Sequence, residues 1–132
     1  MQSPDGGAGA ITKSSPRSVA DTVARFLELL NAKGLKVFAV IDQRAEAQAV
    51  GLDMQETTLV VFGNPKAGTP VMVAAPISAL DLPLKLLVWA DDGATRVSYV
   101  DPAVLAARYD LGPELAAAFA PINALSDALV AP

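Results

Sequence analysis

The chain has 132 residues, 52% of them hydrophobic and 18% charged, a formal net charge of −4, and neither Cys nor His. That length supplies one core of ordinary size and not two. Without thiol or imidazole there is no cysteine nucleophile, no ordinary zinc site and no His-dependent triad, and ten Lys and Arg scattered singly along an acidic chain form no stripe for a phosphate backbone, so nucleic acid is not an expected partner.

Residues Met1 to Gly9 are small, polar and Gly-rich and read as a disordered tail, leaving 10–131 as a single domain. Gly9 to Ser14 is a strand candidate closed by Ser15-Pro16. Ser18 then reads as an N-cap with Asp21 three residues on. Val19, Val23, Phe26, Leu27 and Leu30 recur at helical spacing, which leaves Thr22, Arg25, Glu28 and Asn31 outward and pairs Asp21 with Arg25. Gly34 is placed for a left-handed C-terminal turn. From Leu35 to Asp42 the chain is apolar on both faces except at its ends, which predicts a central strand. Arg44 to Val50 is an Ala-rich short helix that Gly51 ends, and Thr57 to Phe62 is a second buried strand halted by Gly63-Asn64-Pro65.

Gly68 to Leu82 is ambiguous: Thr69-Pro70 fits the start of a helix, while Val71 to Val73 would also suit a strand, and a short helix is the reading taken. Leu84 to Ala90 and Thr95 to Val100 form an antiparallel hairpin through Asp91-Asp92-Gly93, and Trp89 is expected against Tyr99 across it. Asp101-Pro102 opens a short helix through Leu105 and Arg108. After Gly112-Pro113, the residues Leu115, Ala118, Phe119, Ile122, Leu125 and Leu129 trace a final helix kinked at Pro121. The sum is an α+β domain with a mixed sheet of about five strands and helices mainly on one face.

The charged fraction falls below the roughly 25% of a typical soluble domain. Ala, with 25 residues, accounts for part of this; the remainder points to apolar surface shared between copies, and a homodimer is expected. No apolar run approaches the roughly 18 residues that span a bilayer, and the first residues lack a signal-peptide pattern. No membrane contact is expected, and a cytoplasmic location is favoured if the chain is complete as given.

Three stretches carry a family likeness: Phe38-Ala39-Val40-Ile41-Asp42 with the Ala-rich helix and Gly51-Leu52; Leu59 to Lys66 with Gly68-Thr69-Pro70; and Asp81-Leu82-Pro83-Leu84-Lys85 running into Val88-Trp89. With Ser98-Tyr99 and Asp101-Pro102 they resemble, in order over Ile11 to Leu111, the core motifs of the bacterial domain of unknown function 302 family. The resemblance implies a compact α+β domain that tends to form homodimers and supplies no established activity. Many relatives have His directly after the Asp at the strand end where this chain has Gln43, so a function needing an imidazole there does not carry over.

Four residues are candidates for a ligand site: Asp42, Asn64, Lys66 and Lys85. Gly63 to Thr69 resembles a phosphate-binding loop, but Thr69 stands where the Lys is required and Pro70 where the Ser or Thr is required, so a nucleotide is excluded. What remains is a small anion held by backbone donors near Thr69 and by Lys66, or else a tight strand exit and no site. If the strands ending at Asp42 and Asn64 are parallel neighbours, both residues share one sheet edge, and an adjacent antiparallel strand brings Lys85 to it. That cluster would suit a binding or sensing module, or an enzyme using Asp42 and Lys85 as acid and base. A third reading is a structural interaction subunit. Otherwise Asp42 caps a helix, Asn64 bonds its own turn and Lys85 pairs with Asp81. Asp91, Asp92 and Asp101 are too dispersed for a metal loop, and no cofactor is implied.

Overall fold

The computed structural model describes residues 9–132; apart from Gly9, the expected N-terminal tail lies outside the described residues. Five strands, β1 (Ala10–Ser15), β2 (Lys36–Asp42), β3 (Thr57–Gly63), β4 (Leu84–Asp91) and β5 (Ala94–Val100), form one sheet in the order β1-β5-β4-β3-β2. Every neighbouring pair is antiparallel. The helices are α1 (Val19–Ala32), α2 (Gln43–Ala49), α3 (Pro65–Ala74), α4 (Pro102–Arg108), α5 (Pro113–Ala116) and α6 (Pro121–Val130), with a 3-10 segment over Pro76–Asp81. The fold is α+β as expected, but the sheet is antiparallel and not mixed.

The reason lies in α2. A parallel β2-β3 connection needs a helix laid across the sheet by an apolar face, and the sequence QRAEAQA has none; no residue of α2 is buried. The chain therefore turns back at the sheet end. β2 also proves to be an edge strand and not a central one, and Val37, Phe38 and Val40 stand exposed on it.

α1 begins where Ser18 accepts a hydrogen bond from the Asp21 amide and ends in a turn with Gly34 at φ +69°. Its buried face is Val19, Thr22, Phe26 and Leu30. Thr22, expected outward, is fully buried because its hydroxyl shares a 2.7 Å hydrogen bond with Ser15 on β1. Arg25 does not pair with Asp21; its guanidinium donates to the Ala128 carbonyl of α6 at 3.0 Å. Phe26 meets Phe62 of β3 edge-to-face, ring centres 5.1 Å apart, both side chains fully buried. Val60, Leu86, Val88, Val97 and Tyr99 complete that side of the sheet, covered by α1 and by Phe119, Ile122, Leu125 and Leu129.

The β4-β5 hairpin turns through Asp92 and Gly93, both at positive φ, as an Asp-Gly turn requires. Trp89 and Tyr99 do not touch across it: the register puts Trp89 opposite Arg96 and gives Tyr99 to the covered face. Trp89 instead donates to Ser98 at 2.9 Å. The predicted single kinked helix at the C-terminus is two helices, because Pro121 serves as the first residue of α6 and not as an interior kink.

The 3-10 segment is tied to α4 by Asp81, whose carboxylate accepts hydrogen bonds from the Tyr109 hydroxyl and from Arg108 Nη1, the latter at 2.8 Å. Burial alone would raise the Asp81 pKa, but the hydrogen bonds from Tyr109 and Arg108, with the positive charges of Arg108 and Lys85, outweigh it and leave the group below its ordinary value of 3.8. A carboxylate lowered in the folded state contributes stability that is present above the unfolded-state pKa and lost as pH falls through the folded one. Thermal melts recorded from neutral pH into the range below 3.8 are therefore expected to fall more steeply for the wild type than for Asp81→Asn. Phe26→Ala is expected to cost about 3 to 5 kcal/mol in urea unfolding, and a loss under about 1 kcal/mol would place the core elsewhere.

Candidate functional site

Antiparallel pairing separates the expected cluster. Asp42 lies opposite Thr58, whereas Asn64 follows Gly63, which lies opposite Lys36 at the other end of β2. Six residues of strand put roughly 20 Å between those ends. Lys85 pairs with Val61 and alternates with the buried Leu84 and Leu86, so it leaves the uncovered face of the sheet, exposed. From strand spacing and rise, its backbone stands roughly 14 Å from that of Asp42. Asp42 and Asn64 thus line different recesses while Lys85 leaves the sheet on its other face, and acid-base cooperation between Asp42 and Lys85 has no geometric basis.

Locally Asp42 and Asn64 each have a structural duty. Asp42 caps α2 by accepting from the Ala45 amide at 2.9 Å, and Asn64 caps α3 by accepting from the Lys66 amide at 3.0 Å. α3 is capped by Asn64 and starts at Pro65, five residues before the expected Thr69-Pro70 start, and runs to Ala74 with Pro70 inside it. Its first turn offers nothing to an anion: Pro65 has no amide hydrogen, the Lys66 amide is capped, and the Ala67 and Gly68 amides both donate to the Asn64 carbonyl at 2.9 Å. Lys66 is exposed and does not line the adjoining cavity. Lys85 makes no ion pair with Asp81, which is taken by Arg108 and Tyr109, and acts on it only as a nearby positive charge.

What the fold does build is a cavity of about 340 Å³ at the β3-α3 corner. Phe62, Gly63 and Asn64 form its floor, Leu35 and Phe38 one wall, Gly68, Thr69 and Met72 of α3 another, and Leu82, Pro83 and Ala118 complete it. Among the described residues none of its lining side chains is charged, and Asn64 and Thr69 supply the polar ones. Two glycines line it. A Cβ at Gly63 would come within 3.4 Å of Pro83, and one at Gly68 would lie 3.9 Å from Leu82. Gly68 has no positive φ to explain it and sits inside a helix, where Gly is disfavoured by about 1 kcal/mol against Ala.

Asn64 and the Gly63 to Thr69 loop, singled out in the sequence for an anion, do line this cavity except at Lys66, but its apolar walls were not legible as a site because they are ordinary core-type residues; the usable signal was a glycine inside a helix. A second polar cluster also lay beyond the sequence. Lys13 Nζ donates to Ser126 Oγ at 2.6 Å and to Asp127 at 2.8 Å, and stands 5.2 Å from the centre of the Tyr99 ring. Ser126 donates to the Tyr99 hydroxyl at 3.1 Å, and that hydroxyl donates to Asn123 at 2.8 Å. Lys, Ser and Tyr in contact suggest nucleophile activation, but a Lys acting as base needs a lowered pKa. Burial lowers that of Lys13, and the Asp127 and Tyr99 interactions outweigh it to leave the group raised. Ser126 is fully buried as well. The cluster fastens β1 to α6.

Comparison with known proteins agrees with this architecture. A solved structure of an uncharacterized conserved protein DUF302 from Bacillus stearothermophilus superposes with a TM-score of 0.78 at 22% identity, covering 94% of this chain and 97% of that one. The chain is 39% identical over 105 residues to fluoride-specific ion channel FluC 1 of Brucella suis biovar 1 (strain 1330) and to its namesake in Brucella abortus biovar 1 (strain 9-941). That match covers 79% of this chain but only 41% and 39% of those proteins, so the chain spans about two fifths of the curated relatives' length. Among the described residues no helix is long and apolar enough to cross a membrane. The model of the domain of unknown function DUF302 matches residues 11–129, and the chain belongs to that family.

Proposed function

We propose that this protein is a small-molecule binding module whose ligand is largely apolar and occupies the β3-α3 cavity. The observation that carries the reading is the cavity itself: about 340 Å³, at the low end of ligand-pocket volumes, with apolar walls and one amide and one hydroxyl to orient a guest. The absence of a free donor in the first turn of α3 favours an apolar guest over the small anion that the loop sequence suggested. Self-association belongs to the same reading, supported by the low charge content and by the exposed Val37, Phe38 and Val40.

The fluoride-channel relatives support a second reading, in which a domain of this kind accompanies a membrane ion channel without forming the pore. Fluoride itself is a strongly hydrated anion, and the cavity has no cation to receive it.

Decanol is expected to raise the melting temperature in a concentration-dependent way, while fluoride and inorganic phosphate at millimolar concentration leave it unchanged. Gly68→Ala is expected to stabilise the free protein by about 0.5 to 1 kcal/mol, and Gly68→Leu to abolish the decanol shift by filling the cavity. A shift with fluoride or phosphate and none with decanol would replace the apolar reading with an anion site.

A further inference from the structure

We propose that the guest of the β3-α3 cavity carries a neutral hydrogen-bond acceptor at its polar end, the carbonyl of a ketone, aldehyde or ester, received by the side-chain amide nitrogen of Asn64 and the hydroxyl of Thr69. The proposal rests on the apolar-guest reading of the cavity and adds to it the chemistry of the head group.

The cap of α3 decides what Asn64 can offer. A backbone N–H is satisfied by an oxygen and not by an amide nitrogen, so the side chain has to turn Oδ1 to the Lys66 amide, from which it accepts at 3.0 Å. That rotation points Nδ2, a donor of two hydrogens and no acceptor, away from the helix backbone. Thr69 lies inside α3, where a Thr hydroxyl commonly turns back to the carbonyl four residues earlier, here that of Pro65. It does not do so. Among the described residues neither Asn64 Nδ2 nor the Thr69 hydroxyl has a hydrogen-bond partner, and these two residues supply the polar side chains of the cavity wall.

The head group follows from counting hydrogens. A carbonyl oxygen has two lone pairs and no hydrogen of its own, so it takes one hydrogen from each residue and leaves nothing unpaired. An alcohol that accepts from both has its own hydrogen left over, and one that donates to Thr69 strands the hydrogen of Thr69 instead; a polar group enclosed without a partner weakens binding. A carboxylate would bring a charge to a wall without a cation, in a chain whose net charge is already −4.

Isothermal titration with methyl octyl ketone and with decanol, matched in chain length, tests this on the wild type, Asn64→Asp and Thr69→Val. Asp retains the cap, as Asp42 does for α2 at 2.9 Å, but presents a carboxylate oxygen in place of the amide nitrogen. The expected result is a wild type that binds the ketone about tenfold more tightly than the alcohol, an Asn64→Asp variant in which that order reverses because the carboxylate accepts from the alcohol and repels the carbonyl, and a Thr69→Val variant in which the ketone loses most of its advantage. Circular dichroism reports whether each variant is folded; should Asn64→Asp unfold, the isosteric Thr69→Val decides alone. A ratio of the two affinities that is the same in all three proteins, or a wild type that prefers the alcohol, overturns the head-group assignment while the cavity reading stands. A wild type that binds neither guest overturns the cavity reading and the assignment together.

Discussion

The edge-to-face contact of Phe26 with Phe62 is the point on which the molecule turns. It fixes α1 across β3, one of the three strands flanked on both sides by others, and it is completely withdrawn from water. Once Phe62 is committed to the covered face, the period of two along β3 sends Val60 and Thr58 to the same side and Val61 and Leu59 to the other. It also determines where β3 leaves the sheet. Gly63 and Asn64 follow at once, and the corner they make is where α3, Pro83 and Phe38 converge on an unfilled space. Core and cavity are consequences of the same side chain, one on each side of its ring.

Much of this was legible in the sequence because the deciding information was local. Ser18, Gly34 and the Asp-Gly turn each answer a backbone requirement within a few residues, and the helical spacing of Phe26 and Leu30 places them inside. Strand direction was not local. The apolar character of β2 on both faces resembles that of a central strand, and only the lack of an apolar face on α2 argues that the chain doubles back. That one reversal dissolved the expected Asp42, Asn64 and Lys85 cluster, since it moved two strand ends to opposite poles. Thr22 was misread for a related reason: its partner Ser15 lies on a strand whose position over α1 depends on pairing with β5, far along the chain.

Asp42 and Asn64, singled out for chemistry, turned out to cap helices, and the apolar residues that form most of the cavity's lining attracted no notice as a site in the sequence. This inversion is physical. Asp and Asn at strand ends find backbone amides of the next helix within one or two residues, so their pattern signals capping before it signals function. A cavity is defined by atoms that are absent, and absent atoms leave a trace only where a residue is smaller than its setting favours, as Gly68 is within α3.

The fastening of Lys13 to Ser126 and Asp127 joins residues 113 and 114 positions apart in the chain. Contacts of such separation close a long loop, and the entropy of that closure is part of what they must offset. The first strand is held in the fold by its pairing with β5 and by the Lys13 contacts to α6. A nick or a destabilising change near either end would be felt at the other, and the two extremities of the fold loosen together.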